Sequence, residues 1–254
     1  MSYFRNVVFL AAAAGLLAGV VLAALQTLVT VPLILQAETF EGAAPMQHAG
    51  MEMGDATAES GVPAAPESVP AAEQAEEAWS PADGMERFLY TLGANVVGAI
   101  GFSLLLVVAS EFAGGVAGWR QGLLWGLAGF AAFVIAPSLG LPPNMPAMPV
   151  ADTLSRQIWW AATAAATGAG LALIILRSSA PLAVLGLLLI IAPHIWGAPQ
   201  PASYDTSVPE GLHQQFIVAV TLTNLVFWAV LGATIGALRK RFADSVPQPV
   251  RGFA

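Results

Sequence analysis

The sequence predicts an all-α integral membrane protein, a bundle of about six transmembrane helices with both ends of the chain on the cytoplasmic side and a disordered acidic outer loop. Three observations predict it. Only 10% of the 254 residues are charged while 57% are hydrophobic, whereas a soluble domain carries about 25% charged residues. Six stretches free of Asp, Glu, Lys and Arg approach or reach the roughly 17 to 25 residues that cross a hydrocarbon core about 30 Å thick. Basic residues then fall on one side of those stretches far more often than on the other, as they do around membrane helices.

The first stretch, 7–31, follows Arg5 and is too long for the h-region of a secretory signal, which spans about 7 to 15 residues. An uncleaved first span is expected. The next three are 88–110, 121–139 and 158–176. The fifth, 180–196, is the weakest because it is short and carries Pro181, Pro193 and His194; a tilted or re-entrant segment there would leave five spans. The sixth is 216–238. Gly15/Gly19, Gly122/Gly126 and Gly232/Gly236 each form GxxxG, a pattern that lets helix backbones approach closely where lipid gives no hydrophobic drive to association.

Six spans with the N-terminus inside place Arg5, Arg120, Arg177, Arg239, Lys240, Arg241 and Arg251 in the cytoplasm and only Arg87 and Arg156 outside. Trp119 then lies at the inner boundary, and Trp159, Trp160 and Trp196 at the outer one, where indole rings favour the headgroup level. The chain 1–254 reads as one transmembrane domain. Within it 42–83 is an Ala/Pro/Glu-rich loop with too few large apolar residues to support a core, and 239–254 is a cytoplasmic tail. Of the sixteen acidic residues, eleven lie between Glu38 and Glu86, so the net charge of −7 is concentrated outside.

Several function classes are excluded. Without cysteine there are no disulfides or thiolate metal sites. The single lysine, Lys240, follows the last span, so no GxxxxGK[ST] phosphate loop exists; HExxH and GxSxG are absent too. No basic, aromatic surface for nucleic acid is present. An enzyme is not expected, nor a prosthetic group.

The orientation puts all three histidines and all six internal methionines on the outer face. Methionine is at home in apolar surroundings, so its absence from the spans argues that these residues are not merely hydrophobic. Met46, His48, Met51 and Met53 crowd into "MQHAGMEM", a tethered set of soft donors that could capture a metal ion near an entrance; thioethers favour copper(I). His194 ends the fifth span and His213 precedes the sixth, with Asp205 and Glu210 between them. Nitrogen with carboxylate oxygen suits cobalt, nickel or zinc better than magnesium. The alternative roles are a hydrogen bond from His194 to a carbonyl freed by Pro193, and simple surface exposure of His213.

"APSLGLPP" after the third span echoes "APHIWGAP" after the fifth. Pro137 and Pro193 each remove an amide donor and free a carbonyl that lipid cannot satisfy, the pattern of a pathway built from broken helices. Asn95 and Asn224 lie near span centres and Gln26 nearer the outer face. Either asparagine could bridge helices or line a polar path. No carboxylate is central, and Glu111 sits at the inner end of the second span.

"VPLILQAETFE", "ANVVGAIGFSLLL", "GWRQGLLWGLAGFAAFVIAPSLGLPP", "RQIWW", "PHIWGAPQP" and "VPEGLHQQF" together resemble the CbtA family, predicted cobalt transporter subunits of bacterial inner membranes. They cover nearly the whole chain outside the acidic loop. The resemblance implies cobalt transport beside a small single-span partner, CbtB, with a histidine-rich end. It makes Glu38 and Glu41, His194, and Glu210 with His213 candidate outer metal ligands. It implies five spans, where the arginine pattern gives six. The expected function is therefore an inner-membrane permease component for cobalt. The alternatives are a non-transporting scaffold or interaction subunit, and a permease for copper, nickel or a metal complex. The bilayer is an expected partner, and self-association is left open.

Overall fold

The computed structural model describes residues 2–41, 81–177 and 179–243. Among them the regular secondary structure is entirely helical, in six helices. Helix α1 comprises Ser2–Leu25, a π-helical turn Gln26–Thr30, and Val31–Glu38. Helix α2 is Met85–Phe112; α3 comprises Trp119–Phe130, a π turn Ala131–Ile135, and Ala136–Ser138. Helices α4, α5 and α6 are Thr153–Leu176, Ala180–Trp196 and Glu210–Ala243.

Five of the six are long and apolar enough to cross a membrane: Phe4–Glu38, Met85–Phe112, Trp119–Ser138, Thr153–Leu176 and Glu210–Arg239. Helix α5, with 17 residues, rises only about 25 Å at 1.5 Å per residue. The chain is a multi-pass membrane protein. Most helices overrun the apolar windows read from sequence, because helical hydrogen bonding continues into the headgroup layer, where charged side chains are tolerated. Thus α6 continues through Arg239 to Ala243, taking in the start of the expected tail. Most of the expected acidic loop, 42–80, and the rest of the tail lie outside the described residues.

Two π turns explain how α1 and α3 pass their prolines. Pro32 and Pro137 lack an amide hydrogen, and their rings crowd the carbonyl one turn back. Just before each, the backbone widens: the Val31 amide donates to the Gln26 carbonyl, and the Ala136 amide to the Ala131 carbonyl, both five residues back. Thr30 Oγ1 adds a second donor to Gln26 O at 3.1 Å. Pro137 therefore does not end α3, which continues to Ser138, and Pro193 lies inside α5.

Glycine sets the helix pairing. A methyl group at Gly15 or Gly19 of α1 would overlap the α2 backbone at Ile100 or Val96. On α3 and α6, Gly122 and Gly126 face Gly232 and Gly236, and a β-carbon at any of the four would strike the opposing backbone. Gly170 and Gly186 do the same for α4 and α5. Close packing is thus what the GxxxG pairs provide. Helices α1, α2, α3 and α6 share a core that includes Leu10, Leu22, Leu106, Phe227, Trp228 and Leu231, while the α4–α5 pair attaches mainly through α4 along the π turn and final turn of α3. Large apolar side chains such as Phe112, Ile195 and Trp196 point outward from the bundle, as lipid contact allows.

A second apolar cluster caps the end where α1 finishes and α6 begins: Ala37, Met145, Val208, Leu212 and Phe216, with Met148 packed against it. This corrects the reading of the outer methionines for two of them. Met145 is 4% exposed and, like Met148, packs as a hydrophobe, because the α3–α4 and α5–α6 loops fold over the end of α1. Met85 is exposed.

Candidate functional site

At the end of the bundle that carries the cap, three chain segments are tied together by side chains. The Ala147 amide donates to Glu41 Oε1 at 3.2 Å, Thr206 Oγ1 donates to the Ala147 carbonyl at 3.0 Å, and Ser207 Oγ donates to the Phe40 carbonyl at 3.1 Å. Ala147 holds a left-handed φ of 61°, a conformation that disfavours any residue with a β-carbon; both of its peptide groups are fixed by these bonds. Glu38, at the last turn of α1, forms a half-buried ion pair with Arg87 of α2 at 2.5 Å, and Arg87 also meets Asp83 at 2.8 Å.

His194 and His213 lie at this same end. His213 Nε2 is 3.1 Å from the Pro143 carbonyl. A carbonyl can only accept, so Nε2 carries the hydrogen of this bond. Glu210 begins α6 one turn before His213 and is exposed. His194 stands edge-on to Trp159 at 5.8 Å, and Trp159 Nε1 donates to the Pro193 carbonyl at 3.3 Å. The half-buried ring is thus held against an indole, and the Pro193 carbonyl accepts from both Trp159 and the Gly197 amide. Asp205 is exposed and accepts from Ser203 Oγ at 2.8 Å. Met46, His48, Met51 and Met53 lie outside the described residues. Among the described residues, no three His, Asp or Glu side chains come together to hold a metal ion. Those of the candidate ligands that are described share one end of the bundle, where Glu38, Glu41, Asp205 and His213 have protein partners.

At the opposite end Glu111 pairs with Arg239 at 2.7 Å, and Arg239 Nη1 donates to the Val116 carbonyl at 3.2 Å. Gly115, at φ 81°, leaves room for this guanidinium, which a β-carbon there would overlap. The two ends of α2 are therefore pinned by ion pairs, to α1 through Arg87 and to α6 through Glu111.

Between them lies a cavity of about 220 Å³. Asn95 and Asn224, read separately from the sequence as path-lining candidates, border it together with Phe102, Phe133, Trp160, Phe227 and Trp228. Phe133 stacks on Trp228 with centroids 5.5 Å apart, and Phe102 meets Phe133 edge-on at 5.2 Å. Asn95 Nδ2 donates to Gln26 Oε1 at 2.6 Å, and Asn224 Nδ2 donates to the Val220 carbonyl at 2.9 Å. Gln26 opens the α1 π turn, and the α3 π turn supplies Phe133 and Val134 to the lining. Pro137 is fully buried nearby in sequence, and Pro193 is half-buried at the cap end. Neither the Gln26–Asn95 bridge nor the aromatic wall was singled out from sequence; the polar residues alone gave a hint of the first.

The family model described as "Probable cobalt transporter subunit (CbtA)" matches residues 4–240. No curated protein and no solved structure matches the chain.

Proposed function

Because the chain belongs to the CbtA family, described as probable cobalt transporter subunits, we propose that it is the permease component of a cobalt uptake system in a bacterial inner membrane, working beside a small single-span partner like CbtB. The cap end is taken as the outer face, following the arginine distribution. There Glu38, Glu41, Asp205, Glu210, His194 and His213, with the tethered Met46, His48, Met51 and Met53, gather the cation. Carboxylates and imidazoles at one mouth raise the local concentration of a divalent ion before it moves inward. Asn95 and Asn224, with backbone near Pro137 and Pro193, line its passage. An inside-negative potential contributes about 2.3 kcal/mol per charge per 100 mV, so a dication can be drawn in without ATP.

The observation that carries this reading is the collection of nitrogen and carboxylate donors at one end of a bundle whose half-open pocket has no charged side chain. Radiolabelled Co²⁺ uptake, measured with and without the small partner, tests it. His194→Ala and His213→Ala are expected to lower uptake with membrane insertion unchanged. Uptake indifferent to both would count against the permease and for a scaffolding subunit.

A further inference from the structure

We infer that the bundle moves as rigid helix pairs, and that the ion pair between Glu111 and Arg239 is the clamp holding α1–α2 shut against α3–α6 at the end opposite the cap. The inference goes beyond the permease reading and does not depend on what is carried.

Glycine welds three pairs. Gly15 and Gly19 seat α1 on the α2 backbone, Gly122, Gly126, Gly232 and Gly236 join α3 to α6, and Gly170 and Gly186 join α4 to α5. Backbone lying on backbone leaves no side chain between the two helices to repack, so each pair moves as one body. Between the pairs the contacts are of another kind. Helix α2 lies along α1 and meets α3 and α6 over only a small part of its length. The half-open pocket sits at this seam: Leu22, Asn95 and Phe102 line it from α1–α2, Phe133 and Trp228 from α3–α6, and Trp160 from α4. Phe102 reaches across to Phe133 and Trp228, side-chain contacts that can shift where backbone contacts cannot. Protein interiors are otherwise close-packed, so a seam with a gap in it loses the least packing when the bodies part.

The two ends of the seam are tied differently. At the cap the Ala147 amide donates to Glu41 and Ser207 Oγ to the Phe40 carbonyl, while Ala37 is buried in one cluster with Leu212 and Phe216 of α6. The Arg87–Glu38 pair stays within α1–α2 and does not cross the seam. At the far end Glu111 of α2 meets Arg239 of α6 at 2.7 Å, and Arg239 Nη1 donates to the Val116 carbonyl at 3.2 Å. Among the described residues this is the one ion pair between the two bodies. Its side chains are 23% and 28% exposed, so water can take over either partner when they separate, and the pair holds without locking. The α1–α2 body is hinged at the cap and clamped at the far end, and releasing Glu111 swings that end away from α6.

The chain contains no cysteine, so paired cysteines can carry spin labels without background. Double electron–electron resonance on the full-length chain in lipid nanodiscs reads three distances between exposed positions. Val108–Ala237 spans the clamp, Leu89–Val218 spans the seam near the cap, and Leu124–Ala237 lies within α3–α6. Glu111→Ala and Gly115→Ala are each expected to add a longer component to the first distance and to leave the other two unchanged. Gly115→Ala removes no charge, because its β-carbon would itself displace the Arg239 guanidinium. It therefore tests the clamp even where Glu111→Ala fails to fold, which circular dichroism reports.

An unmoved Val108–Ala237 distance in the folded variants overturns the clamp. Equal spreading of Leu89–Val218 or Leu124–Ala237 overturns the rigid pairs, since the bundle would then have loosened as a whole. Loss of helical content in both variants overturns the inference too, leaving the ion pair a static tie.

Discussion

Gly122 of α3 and Gly232 of α6 each occupy the space in which the other's side chain would begin: a β-carbon on either would collide with the carbonyl oxygen of its partner. Backbone cannot rotate aside as a side chain can, so the contact tolerates no substituent. Gly232→Leu is expected to destabilise the bundle by about 2 to 3 kcal/mol, the scale of overpacking. Gly101→Ala, where a β-carbon meets nothing within 4 Å, should be close to neutral. Unfolding in graded detergent, followed by circular dichroism, separates them, and equal losses would contradict the packing described.

Ala147 predicts a gain. Its φ of 61° costs a residue with a β-carbon about 1 to 2 kcal/mol, while glycine adds about 0.5 to 1 kcal/mol of unfolded-state entropy. Ala147→Gly should therefore stabilise by about 0.5 to 1 kcal/mol in the same assay. Ala117→Gly, at a residue outside the positive-φ set, should not.

Asp152 gives a pH dependence. Its carboxylate accepts from the Ser155 amide at 2.8 Å and from Ser155 Oγ at 2.9 Å at the start of α4. The backbone hydrogen bond first, then the hydroxyl, hold its pKa below the usual 3.8. A depressed folded-state pKa means that the stabilisation is complete above the unfolded-state value and fades as pH falls through the folded-state one. Asp152→Ala should lower the thermal midpoint at pH 7. The gap from wild type should close below pH 3.8, and a gap unchanged down to pH 2 would exclude the cap as its source.

Removing residues 46–53 tests capture separately from passage. If the methionine and histidine segment only concentrates cations at the mouth, the half-saturating Co²⁺ concentration rises and the maximal rate stays. A fall in maximal rate at saturating metal would assign this segment to the passage itself.

The helices were legible because long apolar runs free of charge have few other destinations, and the glycine pairs because GxxxG states its own purpose. The partners were not. His213 finds the Pro143 carbonyl 70 residues away, and Asn95 finds Gln26 69 residues away. Met145 looked like an exposed soft donor because nothing local to "PPNMPAMP" shows that the neighbouring loop and α1 will fold over it. Of the two prolines read as helix breakers, Pro137 marks a disturbed backbone and Pro193 does not, and whether a helix breaks or widens depends on the turn before the proline. Pro32 and Pro137 have widened turns, while Pro193 sits in regular helix. The donors lying at one end followed from alternation of the spans; their separate commitments there depend on contacts the sequence does not contain.

Each widened turn carries one residue more than an α turn would, so everything beyond it is rotated by about 100° relative to an uninterrupted helix. In α1 this matches the buried positions Ala14, Ala18 and Leu22 to Thr30 and Ala37 farther along, seating the final turns beneath Met145 while the lower turns face α2. Excising a single residue between Gln26 and Thr30 would leave a smoother helix and a misaligned one: Ala37 would swing off the cap, and Glu38 would turn away from Arg87.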